Sequence, residues 1–200
     1  MNNNQKKFSF SKRAQKYDTG FEGRFSQQFY NALLSQIKPK LKENILDVGC
    51  GTGCLLKKIA DRYAINGYGI DVEYNMIQVA KEHCPEMNIQ QSACEKTPFD
   101  NSTFNLVTAC MAYHHFSNKS GFAREAARIL KTSGYLYIAD PRLPFIIRKI
   151  INSLLRMFNV TGQFLTVQEI ANQFAEYGFV LSSSFEKGCV QVVELKKAAL

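Results

Sequence analysis

The chain has 200 residues, 46% of them apolar, enough for one domain to bury a full core without disulfide staples or a structural metal. No run reaches the about 18 apolar residues of a membrane-spanning helix, and the opening Met1-Asn-Asn-Asn-Gln-Lys-Lys lacks the apolar stretch of a secretory signal. Cysteines at 50, 54, 84, 94, 110 and 189 make no CxxC pair, so the expectation is reduced thiols in a cytoplasmic protein. The net charge of +8 sits in two places, residues 1–20 and 141–160, each +4. Two such clusters suit either a solvated tail and helix face, or contact with an anionic substrate or membrane surface. No aromatic-and-basic RNA-binding signature accompanies them, so nucleic acid is not the expected partner.

In chain order, Phe25, Phe29, Tyr30, Leu33, Leu34 and Ile37 recur at helical spacing, and Pro39 ends that helix. Short apolar runs then predict strands at 44–48, 67–71, 87–92, 104–110 and 134–139. Helices are expected between them at 52–64, 74–83 and 119–131, whereas 92–104 is too short and too rich in Pro, Asn and Ser for one. This alternation predicts an α/β, Rossmann-like doubly wound sheet, mostly parallel, with helices on both faces.

A basic, amphipathic helix follows at about 144–159, with Pro144 suited to a first helical position. Ile146, Ile147, Ile150, Ile151, Leu154 and Phe158 mark one face, and Arg148, Asn152, Arg156 and Asn159 the other. Two readings remain open: a lid whose apolar face packs on the domain, or a wall of the acceptor pocket that touches an anionic membrane. The last helix starts at Thr166, an N-cap with Glu169 three residues on. Runs at 179–186 and 189–195, joined around Lys187-Gly188, predict an antiparallel hairpin at one sheet edge. A single domain is expected: a helical cap (1–43), a core (44–140), the basic insertion or lid (141–165), and a final helix with its hairpin (166–200).

The most specific segment is Ile45-Leu-Asp-Val-Gly49-Cys-Gly51-Thr-Gly53, a strand running straight into three alternate glycines and a helix. Glycine permits positive φ and lets a ligand approach the backbone without a Cβ in the way. Asp47, inside an apolar strand, needs a hydrogen-bonding partner, from turn amides or a cationic ligand. Asp71 ends the second strand about 20 residues beyond the glycines, where a carboxylate can accept both hydroxyls of a ribose or cap the next helix. Cys50 and Cys54 stand at i, i+4, but no further ligand completes a metal set, so they read as small, partly buried thiols.

These residues resemble the class I S-adenosylmethionine-dependent methyltransferases, in particular their quinone and small-molecule branch. Asp47, Gly49, Gly51 and Gly53 match the first motif of that family, and Asp71 the second. The runs Glu95-Lys-Thr-Pro-Phe99, Ala112-Tyr-His114-His115-Phe116 and Arg124-Glu-Ala-Ala-Arg128, with the opening Ala14-Gln-Lys-Tyr17-Asp18, are similar to further motifs of the branch. The likeness spans residues 14–140. Ser92, Ala93 and Cys94 depart from it where an acid often reads adenine, as do Asn105 for Asp and Ser133 for Pro.

The resemblance implies that S-adenosylmethionine is the cofactor, leaving as S-adenosylhomocysteine, and that a small-molecule acceptor is methylated. It places Gly49, Cys50, Gly51 and Gly53 around the methionine moiety, with Asp47 on its amino group. It sets Asp71 on the ribose, Val72 and Met76 by the adenine, and the Ala93, Cys94 and Glu95 stretch at the adenine amino group. A carbonyl of Cys110 or Met111 would take the ammonium, and Tyr17 would close over the cofactor. His114 or His115 is the candidate base, with Tyr113 weaker; the alternative makes one histidine structural and the other a pocket wall. A nicotinamide-dependent oxidoreductase would need Gly-x-Gly-x-x-Gly, a different spacing. A non-catalytic cofactor-binding or membrane-associated scaffold is the rival of another class.

Overall fold

Parallel pairing of consecutive strands requires crossovers, and the helices that supply them cover the sheet on both faces. The computed structural model describes residue 18 and residues 20–199. Helix α1 (Phe21–Gln36) precedes β1 (Asn44–Val48), α2 (Cys54–Ala60), β2 (Asn66–Asp71), α3 (Tyr74–His83) and β3 (Asn88–Gln91). There follow β4 (Phe104–Cys110), a 3-10 turn at Tyr113–His115, α4 (Lys119–Ile129) and β5 (Leu130–Pro141). The chain ends in α5 (Phe145–Met157), α6 (Val167–Ala175), β6 (Phe179–Lys187) and β7 (Val190–Lys197). The sheet order is β3-β2-β1-β4-β5-β7-β6, parallel from β3 to β5 and antiparallel from β5 through the terminal hairpin.

The apolar periodicity accounts for the layers. Phe29, Leu33 and Ile37 of the α1 segment join Leu55 and Ile59 of α2 against one face of the sheet. Phe122, Ala126 and Ile129 of α4 join Ile170 and Phe174 of α6 against the other. Thr166 caps α6 with a complete capping box, accepting from the Glu169 backbone while the Glu169 carboxylate takes the Thr166 N–H.

Three elements depart from the sequence expectation. Helix α2 starts later than 52 because Gly53, at φ +78, is the cap, and left-handed backbone there cannot extend the helix upstream; it also ends earlier than 64, with Asp61 as its C-cap. Strand β5 is longer than 134–139 because Leu130 pairs with Phe104 at one end and Pro141 with Val190 at the other. Helix α5 spans 145–157 within the expected 144–159 but has no fully buried residue, and of its apolar face only Ile151 is part-buried while Ile146, Ile147, Ile150, Leu154 and Phe158 are exposed.

Several motif residues turn out to hold the fold. Phe99 stands edge-on to Tyr68 and Phe104, and Glu125 ties the 92–104 link to α4. The Glu125 carboxylate accepts from the Thr97 N–H and hydroxyl, both at 2.7 Å, and from the Arg128 guanidinium at 2.7 and 2.9 Å. Asn105, in place of the usual Asp, accepts from the Asn44 N–H and the Lys131 ammonium. Ser133, in place of Pro, takes up positive φ at +62.

Glu125→Ala strands those donors and is expected to cost about 2–3 kcal/mol, lowering Tm by about 5–10 °C. Burial alone would raise the Glu125 carboxyl, but the bonds from Arg128 and Thr97 outweigh it and hold the group below its usual 4.5. Its stabilisation is therefore present above that value and is lost as pH falls through the lower folded value. Thermal melts of parent and variant should converge in acid.

Candidate functional site

Because β1, β2, β3 and β4 are parallel neighbours, their C-terminal ends share one edge of the sheet. Asp47, the glycine loop, Asp71, Val72, the 93–95 stretch, Cys110 and Met111 all stand at that edge. Tyr17 lies outside the described residues.

The glycine loop is seated on β2. Gly49 and Cys50 donate their N–H groups to the Ile70 carbonyl at 2.8 and 3.0 Å. All three glycines have positive φ (+72, +53 and +78), which L side chains rarely adopt. A Cβ on Gly49 would come within 2.6 Å of Ala112 Cβ, whereas a Cβ on Gly51 would meet nothing within 4 Å. The loop is thus tight at its entry and open at its centre. The Cys50 side chain packs against Gly69, where burial pushes its thiol up and makes it a packing group. Cys54 accepts a long bond from Gln27. No cluster able to hold a metal occurs among the described residues.

Asp71 accepts the Gly51 N–H at 3.0 Å on one carboxylate oxygen and the Glu73 N–H at 2.9 Å on the other. It joins the loop to the turn before α3, with burial raising its carboxyl above the usual range. Each oxygen retains lone pairs for a further donor. Beside it Val72 is 58% exposed, an open apolar surface, whereas Met76 is buried in α3. In the β3–β4 link, Ala93 bridges Lys96, and the Cys94 thiol, pushed up to about 12 by burial and the adjacent Glu95, donates to that carboxylate. Cys110 is buried at the end of β4, and Met111 turns to φ +54 with its N–H on the Ala139 carbonyl.

Asp47 is buried beneath the loop, and the Thr108 hydroxyl of β4 donates to it at 2.6 Å. Burial pushes its carboxyl up to about 7, with the Asp71 charge adding to the effect and the Thr108 bond opposing it. Asp18 also reaches the loop, accepting from the Thr52 hydroxyl at 2.8 Å.

The two histidines differ. His114 is 5% exposed, and Asp140, at the end of β5, accepts both its backbone N–H at 2.8 Å and its Nδ1 at 2.9 Å. The contact fixes the ring's orientation, and in the neutral tautomer that donates from Nδ1 to the carboxylate the lone pair is on Nε2. His115 is exposed, its ring 3.9 Å from that of His114, and Phe164 stacks on His114 at 5.0 Å. Tyr113 is buried and donates to Gln173, so it belongs to the core. Sequence reasoning missed Asp140 and Thr108. Asp140 carried a legible signal, an acid closing an apolar strand like Asp71; Thr108 carried none. A hollow of about 630 Å³ between the α4 start, the 161–163 link and α6 borders neither Asp47 nor Asp71.

Residues 46–138 match the family described as "Methyltransferase domain". A demethylmenaquinone methyltransferase of Chlorobaculum tepidum is 30% identical over 109 residues, which is 54% of this chain and 45% of that relative. The chain thus spans less than half the length of that curated relative. Among solved structures, a chain of the complex between a Trm112 methyltransferase activator and a methyltransferase of Haloferax volcanii superposes with a TM-score of 0.83. It covers 95% of this chain and 98% of its own at 16% identity, a likeness of fold. Geranyl diphosphate C-methyltransferase of Streptomyces coelicolor, solved with S-adenosyl-L-homocysteine, gives 0.73 at 12% identity over 88% of this chain and 80% of its own.

The raised Asp47 carboxyl makes the ligand-free fold sensitive to pH. Between the unfolded 3.8 and the folded value of about 7 the native state holds a proton that the unfolded chain releases, so stability falls as pH rises. Asp47→Asn keeps the acceptor for Thr108 and removes the ionisation. Its ligand-free Tm should match the parent near pH 4 and exceed it by about 5 °C or more at pH 7.5, read by differential scanning fluorimetry.

Proposed function

We propose that this chain, whose residues 46–138 match the methyltransferase domain family, is a class I S-adenosylmethionine-dependent methyltransferase that binds its cofactor at the glycine edge and methylates a small, hydrophobic acceptor. The observation that carries the reading is the pairing of Asp71 with the open centre of the loop at Gly51. A carboxylate with spare lone pairs stands beside a backbone segment that leaves room for a ligand.

The residues present fit that cofactor. Asp71 would hold the ribose hydroxyls, exposed Val72 the adenine face with Met76 beneath, and backbone groups of Ala93, Cys94 and Glu95 the adenine amino group. Gly49, Cys50, Gly51 and Gly53 would follow the methionine moiety. A cationic ammonium near Asp47 and the carbonyls of Cys110 and Met111 would favour the ionised carboxylate and offset its burial. Tyr17 is assigned its closing role by the family resemblance. When bound, S-adenosylmethionine supplies an electrophilic sulfonium methyl, so alignment of the acceptor accounts for much of the rate. His114 would take the acceptor's proton at Nε2, with Asp140 fixing the tautomer and holding the ring. All six cysteines are free thiols, which supports the cytoplasmic placement.

Asp71→Ala should weaken S-adenosylmethionine binding by about one to two decades; calorimetry giving the parent's affinity would reject the ribose assignment. For the reaction, S-adenosylhomocysteine formation should depend on an added acceptor, with short-tailed demethylated quinols the first panel. His114→Gln should lower kcat by about 10²–10⁴ while cofactor affinity holds, and Asp140→Asn should shift the pH profile through the tautomer. If His115→Gln alone abolishes turnover, the exposed histidine is the base. Cofactor binding without turnover on any acceptor would favour the scaffold reading.

A further inference from the structure

Helix α5 meets the protein through a mixed face anchored by two polar side chains, not through its apolar stripe. The residues turned inward are Arg148, Ile151, Asn152 and Leu155, each only part-buried. Arg148 forms an ion pair with Glu169, whose carboxylate also takes the Thr166 N–H in the α6 capping box. The Asn152 amide donates to the Phe164 carbonyl at 2.8 Å and accepts the Phe164 N–H at 2.9 Å. Rolling the apolar face inward would break all of these bonds at once. The polar clamp therefore holds Ile146, Ile150, Leu154, Met157 and Phe158 outward, with Ile146 69% and Met157 65% exposed.

The rim of this stripe is cationic. By helical spacing Lys149 and Arg156 flank one side of it, and neither forms an ion pair among the described residues; the Lys149 ammonium lies 4.4 Å over the Phe145 ring. No acid occurs from 141 to 160. A second copy would bring the same cations and no anion to a self-contact. An anionic lipid surface supplies both an apolar layer and phosphates at its rim. None of the described helices is long and apolar enough to cross a membrane, so contact would be along the helix side.

Through its inner face, helix α5 also adjoins the His114 end of the site. A Cβ on Gly162 would stand 3.5 Å from Leu155 and 3.6 Å from the His114 carbonyl, which accepts the Gln163 N–H at 2.8 Å.

We propose that α5 docks the protein on an anionic membrane surface, apolar stripe among the acyl chains and Lys149 and Arg156 at lipid phosphates, next to the His114 end of the site. That this delivers a lipid-soluble acceptor rests on the methyltransferase reading; the docking does not.

The test is co-sedimentation of the full chain with phosphatidylcholine vesicles, with and without phosphatidylglycerol. Binding is expected on the anionic vesicles and should weaken with salt. Ile146→Asp/Ile150→Asp should lower partitioning at least about tenfold by withdrawing two side chains from the acyl boundary. Lys149→Gln should lower it about fivefold, one surface cation's share, on anionic vesicles only. Both variants should bind S-adenosylmethionine as the parent does, which separates failure of docking from failure of the cofactor reading. No sedimentation with anionic vesicles at low salt overturns the proposal. So does a dimer, seen by light scattering, that Ile146→Asp/Ile150→Asp dissolves while vesicle binding is absent or unchanged.

Discussion

Parallel alignment of four central strands is the constraint on which the site depends. Each β-helix-β crossover returns the chain to the same end of the sheet, so every strand delivers its last residue to one edge. Asp47 near the end of β1, Asp71 at the end of β2, Met111 just past β4 and Asp140 near the end of β5 come from distant parts of the sequence and meet there. The glycine loop is held on that edge by its N–H groups to Ile70, and Asp71 is then within reach of Gly51. Loss of the β1–β2 register would move each of these groups at once.

Two buried carboxylates at this edge sit in different surroundings. Asp47 takes the Thr108 hydroxyl, a neutral donor, and is pushed up to about 7 chiefly by burial. Asp140 takes the His114 backbone N–H on one oxygen and the ring Nδ1 on the other. The first arrangement favours the protonated carboxyl; the second orients a side chain. This division matches the proposed roles, ligand capture around β1 and β2 and proton handling after β4.

The family motifs divide in the same way. Gly51 and Asp71 face open space or carry spare acceptors, whereas Phe99, Glu125 and Arg128 are spent on packing and on the Thr97 network. That network anchors the link carrying Ala93, Cys94 and Glu95, so the structural motifs hold in place the stretch assigned to the adenine.

Much of this was legible locally. Strands 44–48 and 104–110, helix 74–83 and the Thr166–Glu169 capping box lie where periodicity and capping chemistry put them, because those signals are carried by residues within a turn or two of each other. The hairpin followed from a short Gly-containing link, and Asp71 from its place after an apolar strand. The partner of Asp47 did not, since Thr108 is 61 residues away and one hydroxyl in a strand looks like any other. The length of β5 depended on β7, which pairs with it from the end of the chain. For 145–157 the sequence determined a helix with two chemically distinct faces. Which face turns inward was decided by Glu169 and Phe164, whose bonds to Arg148 and Asn152 exist only once α6 and the link before it are in place. Periodicity is a property of one segment, whereas orientation is set by the groups that segment meets.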